Sequence, residues 1–182
     1  MPSIEPAAYC LEHAGRRRAS WDTIIVSGAA DTALAAADLW AVWSDLEHWP
    51  LWSPLHESVT RTGSPTPLAA GATFHQRLNL GFPAGTRTEH VTIADLEPAR
   101  RAAWAGSGNG IRSCHLWSFT PLQGGTRVTN TEAFAGLPVA ILRPLVARRW
   151  NRAFQDSVDG LIRQASGVTT TVPGCDSKEV PQ

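Results

Sequence analysis

The chain is 182 residues long, and its sixteen basic and sixteen acidic residues cancel to a formal charge of zero. A protein that neutralises many phosphates needs a basic excess, so this balance excludes a general nucleic-acid binder. No apolar run approaches the roughly 18 to 20 residues that span a bilayer, and 43 % hydrophobic residues suffice for one core.

Residues 1–20 show no sustained period and carry the Arg16-Arg17-Arg18 run, so a flexible arm with a solvated charge run is expected there. They hold no apolar stretch of the kind a secretory signal requires. Trp21 to Ser27 is a β-branched run ending at Gly28 and reads as the first strand. Asp31-Thr32 then offers an N-cap, and Leu39, Val42, Trp43 and Leu46 recur at helical spacing. A second short helix is expected over 45–52, stopped by Pro54.

Strands follow in quick succession. Residues 73–80 alternate, with Phe74, Leu78 and Leu80 on one face and His75, Arg77 and Asn79 on the other. Further strands are expected over 87–96 and 101–106, then over 113–120 and 126–134 around a hairpin connection at 121–125. The last element is a long helix over 138–165, on which Val139, Val146, Trp150, Ala153, Phe154, Ser157 and Leu161 form one stripe. Residues 167–182 are nearly free of large apolar groups and are expected to be a disordered tail. The folded unit is therefore 21–166. Cys10 and Cys175 fall in the expected arm and tail and Cys114 in a strand, so no disulfide framework is expected, in keeping with a reduced, cytoplasmic setting.

Strand, two short helices, a run of antiparallel strands and one long amphipathic helix make an α+β layout in which a curved sheet wraps the final helix. The local sequence has the same order as a known group. Trp43-Ser44-Asp45-Leu46-Glu47-His48-Trp49 precedes Trp52 and then Gly71-Ala72-Thr73-Phe74. Arg101 to Gly106, His115-Leu116-Trp117-Ser118-Phe119, Gly124 to Val128, Glu132 and Gly136 follow before the long helix. This series resembles the START-like helix-grip superfamily, in its polyketide cyclase/dehydrase-like branch. The resemblance implies a curved sheet of about seven strands gripping the C-terminal helix. It also implies a mostly apolar cavity between them for a small apolar molecule. It implies no single reaction, because the superfamily mixes enzymes, carriers and sensors.

Alternation shows which polar groups share the apolar face. His115, Trp117 and Phe119 lie on one face of their strand, and Val128, Asn130, Glu132 and Phe134 on one face of the next. If Phe119 pairs with Val128, Trp117 meets Asn130 and His115 meets Glu132, with Cβ atoms about 4.5 to 5.5 Å apart. Two readings follow from that pair. Glu132 orients His115, whose other ring nitrogen is free to move a ligand proton, or the two groups simply satisfy each other in a mixed core. Asn130 and Gln76 are candidates to hold a ligand oxygen, since an amide facing an apolar cavity needs a partner. Phe74, Trp104, Trp117, Phe134, Trp150 and Phe154 are expected to line the cavity, and Arg143 to stand at its mouth.

Eight Trp against one Tyr is an unusual count, and indole is mostly used in cores and ligand clefts. Trp40, Trp43, Trp49 and Trp52 are placed at the cavity entrance. The segments Ala33 to Ala37 and Gly81 to Gly85 are placed near the mouth as well. Gly106 to Gly110 lacks the Lys and helix of a phosphate loop. Cys114 and His115 point to opposite faces, and the His residues lack metal-ligand spacing, so neither metal nor cofactor is expected.

Two functions remain open. One is a cofactor-independent cyclase or dehydratase with His115 and Glu132 as its acid/base pair. The other is a hydrophobic-ligand or lipid carrier or sensor, and a protein-interaction domain with a collapsed cavity ranks third. A monomer or homodimer fits either of the first two.

Overall fold

The structure is a computed structural model that describes residues 5–63, 67–108 and 110–169, with side chains described to residue 167. Part of the segment expected as a flexible arm is a helix, α1 (Pro6–His13). Glu5 caps it by accepting from the Ala7 and Ala8 backbone N–H groups at 3.2 and 2.6 Å. Pro6 opens the first turn, where no N–H is needed. Cys10, Leu11 and Ala14 are buried against the outer face of the main sheet. Eight residues are too few to show the sustained period by which the segment was judged, but they supply one apolar face.

β1 (Thr23–Thr32) runs through Asp31 and Thr32, so these residues do not cap the first short helix. Thr32 pairs with Thr126, and the Asp31 carboxylate accepts from the Arg127 guanidinium at 2.6 and 2.8 Å, so both are committed to the sheet. α2 (Ala36–Trp43) starts after Ala35 with no side-chain cap, and a 3-10 helix (Leu46–Leu51) takes the place of the second short helix.

β2 (His56–Thr62) has no counterpart among the expected elements. β3 (Thr73–Asn79) and β4 (Thr86–Thr92) pair with it in the order β2-β3-β4. The strand expected over 87–96 is broken near Ile93. Ile93 hydrogen-bonds the Gly71–Ala72 segment through both backbone groups, whereas the Ala94 N–H donates to Ala103 O at 2.9 Å. The chain thereby changes partner and continues as β5 (Asp95–Glu97). β6 (Arg101–Gly108), β7 (Ile111–Leu122) and β8 (Gly125–Ala135) complete a second sheet in the order β1-β8-β7-β6-β5. Eight strands are present among the described residues, one more than expected, and the paired neighbours are all antiparallel. Phe119 pairs with Val128, Trp117 with Asn130 and His115 with Glu132. The pairing continues to Leu122 and Gly125, which shortens the expected connection to a turn at Gln123-Gly124.

α3 (Leu137–Thr169) is 33 residues long, so residues 167–169 of the expected tail are helical; the rest of that tail lies outside the described residues. Two glycines let the backbone of α3 lie close to its neighbours. A Cβ on Gly28 would stand 2.5 Å from Gln155 N, and one on Gly160 would stand 2.0 Å from Trp52 O. Because β1 is an edge strand, its free N–H groups need partners. Asn151 and Gln155 of α3 supply them, accepting from Ser27 N and Ala29 N at 3.0 Å each. The result is the α+β helix-grip architecture. Among the described residues no helix is long and apolar enough to cross a membrane.

Candidate functional site

The space between sheet and α3 is divided in two. At one end Trp43, Trp49, Trp52, Trp117, Phe74 and Phe119 are packed together. Ring centroids there lie 5.3 Å apart for Trp43 and Trp49, 5.9 Å for Trp52 and Trp117, and 5.7 Å for Trp49 and Phe74. The tryptophans placed at the entrance, together with Phe74 and Trp117, therefore form a solid aromatic plug rather than a ligand wall. The cause is position along the strand. Trp117 does face inward, but it lies beyond His115 under the Trp cluster from α2 and the 3-10 helix. Leu34 and Ala36 pack at this end too, so the Ala33 to Ala37 stretch is not at a mouth.

At the other end is a cavity of about 440 Å³, within the range of small-molecule sites. Arg87 to Val91 of β4 and Trp104 to Gly108 of β6 line it from the two sheets. Leu80 and Ala84, Phe134, and Val146 and Trp150 of α3 form apolar walls. The Trp150 indole N–H donates to Leu80 O at 3.1 Å and ties the helix to the β3–β4 connection. A deeper lobe is lined by His56, Gln76, Glu89, His115, Glu132 and Phe154. Of the residues singled out in the sequence, Trp104, Phe134, Trp150, Phe154, Gln76, His115 and Glu132 line this space.

Arg143 does not. It is exposed, and so are its neighbours Ile141 and Leu145, at 67 % and 64 %. The helix α3 runs on through Pro144, and Ile141, Arg143 and Leu145 lie on its exposed side. The long guanidinium stem is carried into solvent.

His115 is clamped on all sides. Its Nδ1 lies 3.2 Å from Glu132 Oε2, and its Nε2 lies 2.6 Å from Asn130 Oδ1. Trp104 stands 4.4 Å from its ring and Phe154, on the other side, 5.3 Å. The second ring nitrogen is therefore not free for a ligand, because Asn130 sits two residues from Glu132 on the same face of β8 and reaches it first. Asn130 is 1 % exposed and lines neither lobe, so it positions His115 instead of holding a ligand oxygen. The group presented to the cavity is the Glu132 carboxylate, which lines both lobes.

His56 is a site residue for which the sequence offered no pattern. Its Nδ1 is 2.7 Å from Ser53 Oγ, which is 3.0 Å from Ser157 Oγ. Ser157 Oγ donates to Ala153 O at 2.9 Å. Reading back along this chain, Ser157 accepts from Ser53 and Ser53 accepts from His56. The ring proton is thereby placed on Nδ1 and the Nε2 lone pair is left bare. Burial, with the charge of His115 adding to it, pushes the His56 pKa down to about 3, so the ring is neutral near pH 7.

Glu89 was missed as well. It pairs across strands with Gln76, and its outward surface is cavity wall. Glu89 is exposed along β4, yet partial desolvation of its carboxyl raises its pKa, and the Glu132 charge raises it further, against the opposing pull of Gln76, His115 and Arg87. Gln76 Nε2 is 3.0 Å from Glu89 Oε2, while Gln76 Oε1 is buried without a hydrogen-bond partner although Gln76 is also the neighbour of His56. The cavity thus holds two carboxyl groups in unlike settings, Glu132 against an imidazole and Glu89 against an amide.

No curated protein matches this sequence. Solved structures do match its fold. The Zhui aromatase/cyclase from Streptomyces sp. R1128 is 15 % identical with a TM-score of 0.63, over 81 % of this chain and 96 % of that one. A protein from Thermus thermophilus is 18 % identical with a TM-score of 0.62, over 80 % and 99 %. Norcoclaurine synthase from Thalictrum flavum is 17 % identical with a TM-score of 0.59, over 84 % and 99 %. At these identities the likeness is one of fold. The sequence itself matches the model of one family across residues 23–166, from the start of β1 almost to the end of α3, and the chain belongs to that family, described as polyketide cyclase / dehydrase and lipid transport.

Proposed function

We propose that the protein is a cofactor-independent cyclase or dehydratase that folds a small, mostly apolar carbonyl compound inside the cavity and moves protons with two carboxyl groups. Glu132, held by His115, is the base. It takes a proton from a carbon next to a substrate carbonyl, leaving an enolate. Glu89 is the acid, and its proton goes to the oxygen that gains charge. In ring closure the enolate carbon bonds to a second carbonyl carbon and Glu89 protonates the new alkoxide. In dehydration the hydroxyl leaves as water with that proton. Carboxyl groups in unlike surroundings are the usual basis of paired acid and base roles, and positioning by the aromatic walls supplies much of the remaining rate. The observation that carries this reading is the presence of Glu132 and Glu89, differently partnered and carried by different sheets, in the lining of one space. Family membership and the aromatase/cyclase among the structural neighbours support it.

The test uses 2-tetralone, a bicyclic ketone of suitable size, as an enolisation probe. Exchange of its α-protons in D2O, followed by NMR, is expected to be accelerated by the protein. The Glu132→Gln variant should lose that acceleration by 10²-fold or more, on the order expected for a general base, while still quenching tryptophan fluorescence on binding. Binding without any acceleration by the unsubstituted protein overturns the catalytic reading and leaves a carrier.

A further inference from the structure

We propose that Cys10 and Cys114 are an oxidisable thiol pair that closes to a disulfide, stapling α1 to the back of the strands that carry the site. Nothing in the spacing of the two residues suggests it, since they are 104 positions apart. The fold brings their sulfurs to 3.0 Å, both residues are buried, at 0 % and 1 % exposure, and both thiols are free. A bond needs the sulfurs to close by only about 1 Å, to the usual ~2.05 Å. The surroundings permit that movement, because the pair lies among the small side chains of Ala103, Ala133 and Ala135.

Oxidation passes through release of α1. The Cys114 sulfur and burial hold the Cys10 thiol above its ordinary range, so the docked helix offers little thiolate. α1 is only eight residues long, and its polar ties are few, such as the 3.3 Å bond from the Tyr9 hydroxyl to Asp95. Once it lifts, the Cys10 thiolate attacks a low-molecular-weight disulfide, forming a mixed disulfide and expelling one small thiol. When α1 docks again, Cys114 attacks the Cys10 sulfur and expels the second. Two protein thiols are oxidised, and one small disulfide is reduced to two thiols.

The place of the staple gives it a consequence. Cys114 precedes His115 on β7 and points to the opposite face. The Cys10 thiol also lies 3.7 Å from Thr131 O, one residue before Glu132 on β8. The disulfide therefore closes directly behind the His115–Glu132 pair and joins the N-terminal helix to the strand that positions it.

The experiment uses the full chain with Cys175→Ser, which leaves these two cysteines alone, and oxidised glutathione as the oxidant. The product is expected to lose two hydrogens in intact mass. Without reduction, its tryptic map should show residues 1–16 joined to residues 113–127. Its melting temperature should rise by roughly 5 °C or more, as closing a loop of about a hundred residues implies, and dithiothreitol should reverse both changes. A chain that also carries Cys10→Ser should show neither. Two thiols recovered free after prolonged oxidation overturn the proposal. Glutathione adducts that never resolve, or links only between chains, do so equally. A linked product that melts like the reduced protein overturns the staple.

Discussion

The serine chain behind His56 makes a prediction about acid stability that can be worked through. With its proton on Nδ1 donated to Ser53, the buried ring gains a second proton only near pH 3, because burial and the His115 charge oppose it. In the unfolded chain the same side chain protonates near 6.5. Between those values the unfolded state binds a proton that the native state does not, so unfolding becomes easier as pH falls through 6.5 towards 3. One proton is worth about 1.4 kcal/mol per pH unit at most, which gives about 2 kcal/mol of lost stability by pH 5. Urea unfolding followed by tryptophan fluorescence at pH 7.5, 6 and 5 measures it. The raised Glu89 carboxyl adds its own pH dependence, so the comparison must be with His56→Gln, whose amide can still donate to Ser53. The unsubstituted protein should lose about 2 kcal/mol more than this variant between pH 7.5 and 5. Equal losses in the two proteins would refute the assignment of a neutral, buried His56.

Glu89 should behave in the opposite sense. Its raised pKa means the folded state holds the proton longer, so its contribution is present below the ordinary carboxylate range and is lost as pH rises through the folded value; Glu89→Gln should gain stability relative to the unsubstituted protein across that rise, and a constant difference would count against a protonated Glu89. Gly28→Ala must push α3 back by about 1 Å from the 2.5 Å approach to Gln155 N and stretch the Asn151 and Gln155 bonds to β1, at a cost of about 2 to 5 kcal/mol in urea unfolding. Gly108→Ala, with nothing within 4 Å, should be close to neutral, and similar losses at both positions would sink the close-packing argument. Trp43→Phe should cost less than Trp49→Phe, since the Trp43 indole N–H is buried without a partner while that of Trp49 donates to Trp43 O at 2.6 Å; thermal melts decide the order.

The register of the β7–β8 hairpin was legible because apolar residues alternate cleanly on both strands and a turn containing Gly joins them, so the meeting of His115 and Glu132 could be read from the sequence. What each nitrogen of His115 does could not be read. That depends on Asn130 lying on the same face two residues away, and on rotamers that alternation does not fix. β2 was invisible for a related reason. Along His56 to Thr62, Val59 is the only buried apolar residue, since the strand presents His56 to the site. A strand that furnishes polar groups to a cavity loses the hydrophobic period by which strands are found. Glu89 was hidden by the β3–β4 connection at residues 80–85, which leaves the register of that hairpin open until Gln76 is seen opposite Glu89. α1 escaped because its burial depends on Ala103, Ala133 and Ala135, far along the chain.

The tryptophan excess takes on a different meaning once the interior is seen to be divided. An enlarged apolar core would stabilise the fold whatever its arrangement, but here the indoles are gathered at one end and shorten the space left at the other. Trp104 stands at the boundary. Its ring stacks on Trp49 of the plug with centroids 6.1 Å apart and meets Phe74 edge-on at 5.9 Å, while His115 lies 4.4 Å away. One side chain therefore ends the cavity and supports the imidazole that holds Glu132. The extent of the cavity and the support of the His115–Glu132 pair are set by the same residue, so neither can vary independently at this position. At the opposite end Trp150 is fastened to Leu80 O, and Phe134 packs against it at 5.2 Å. A compound that reaches the two carboxyl groups lies against these rings, and a strongly charged molecule pays in desolvation there. The aromatic content thus favours a compact, apolar occupant.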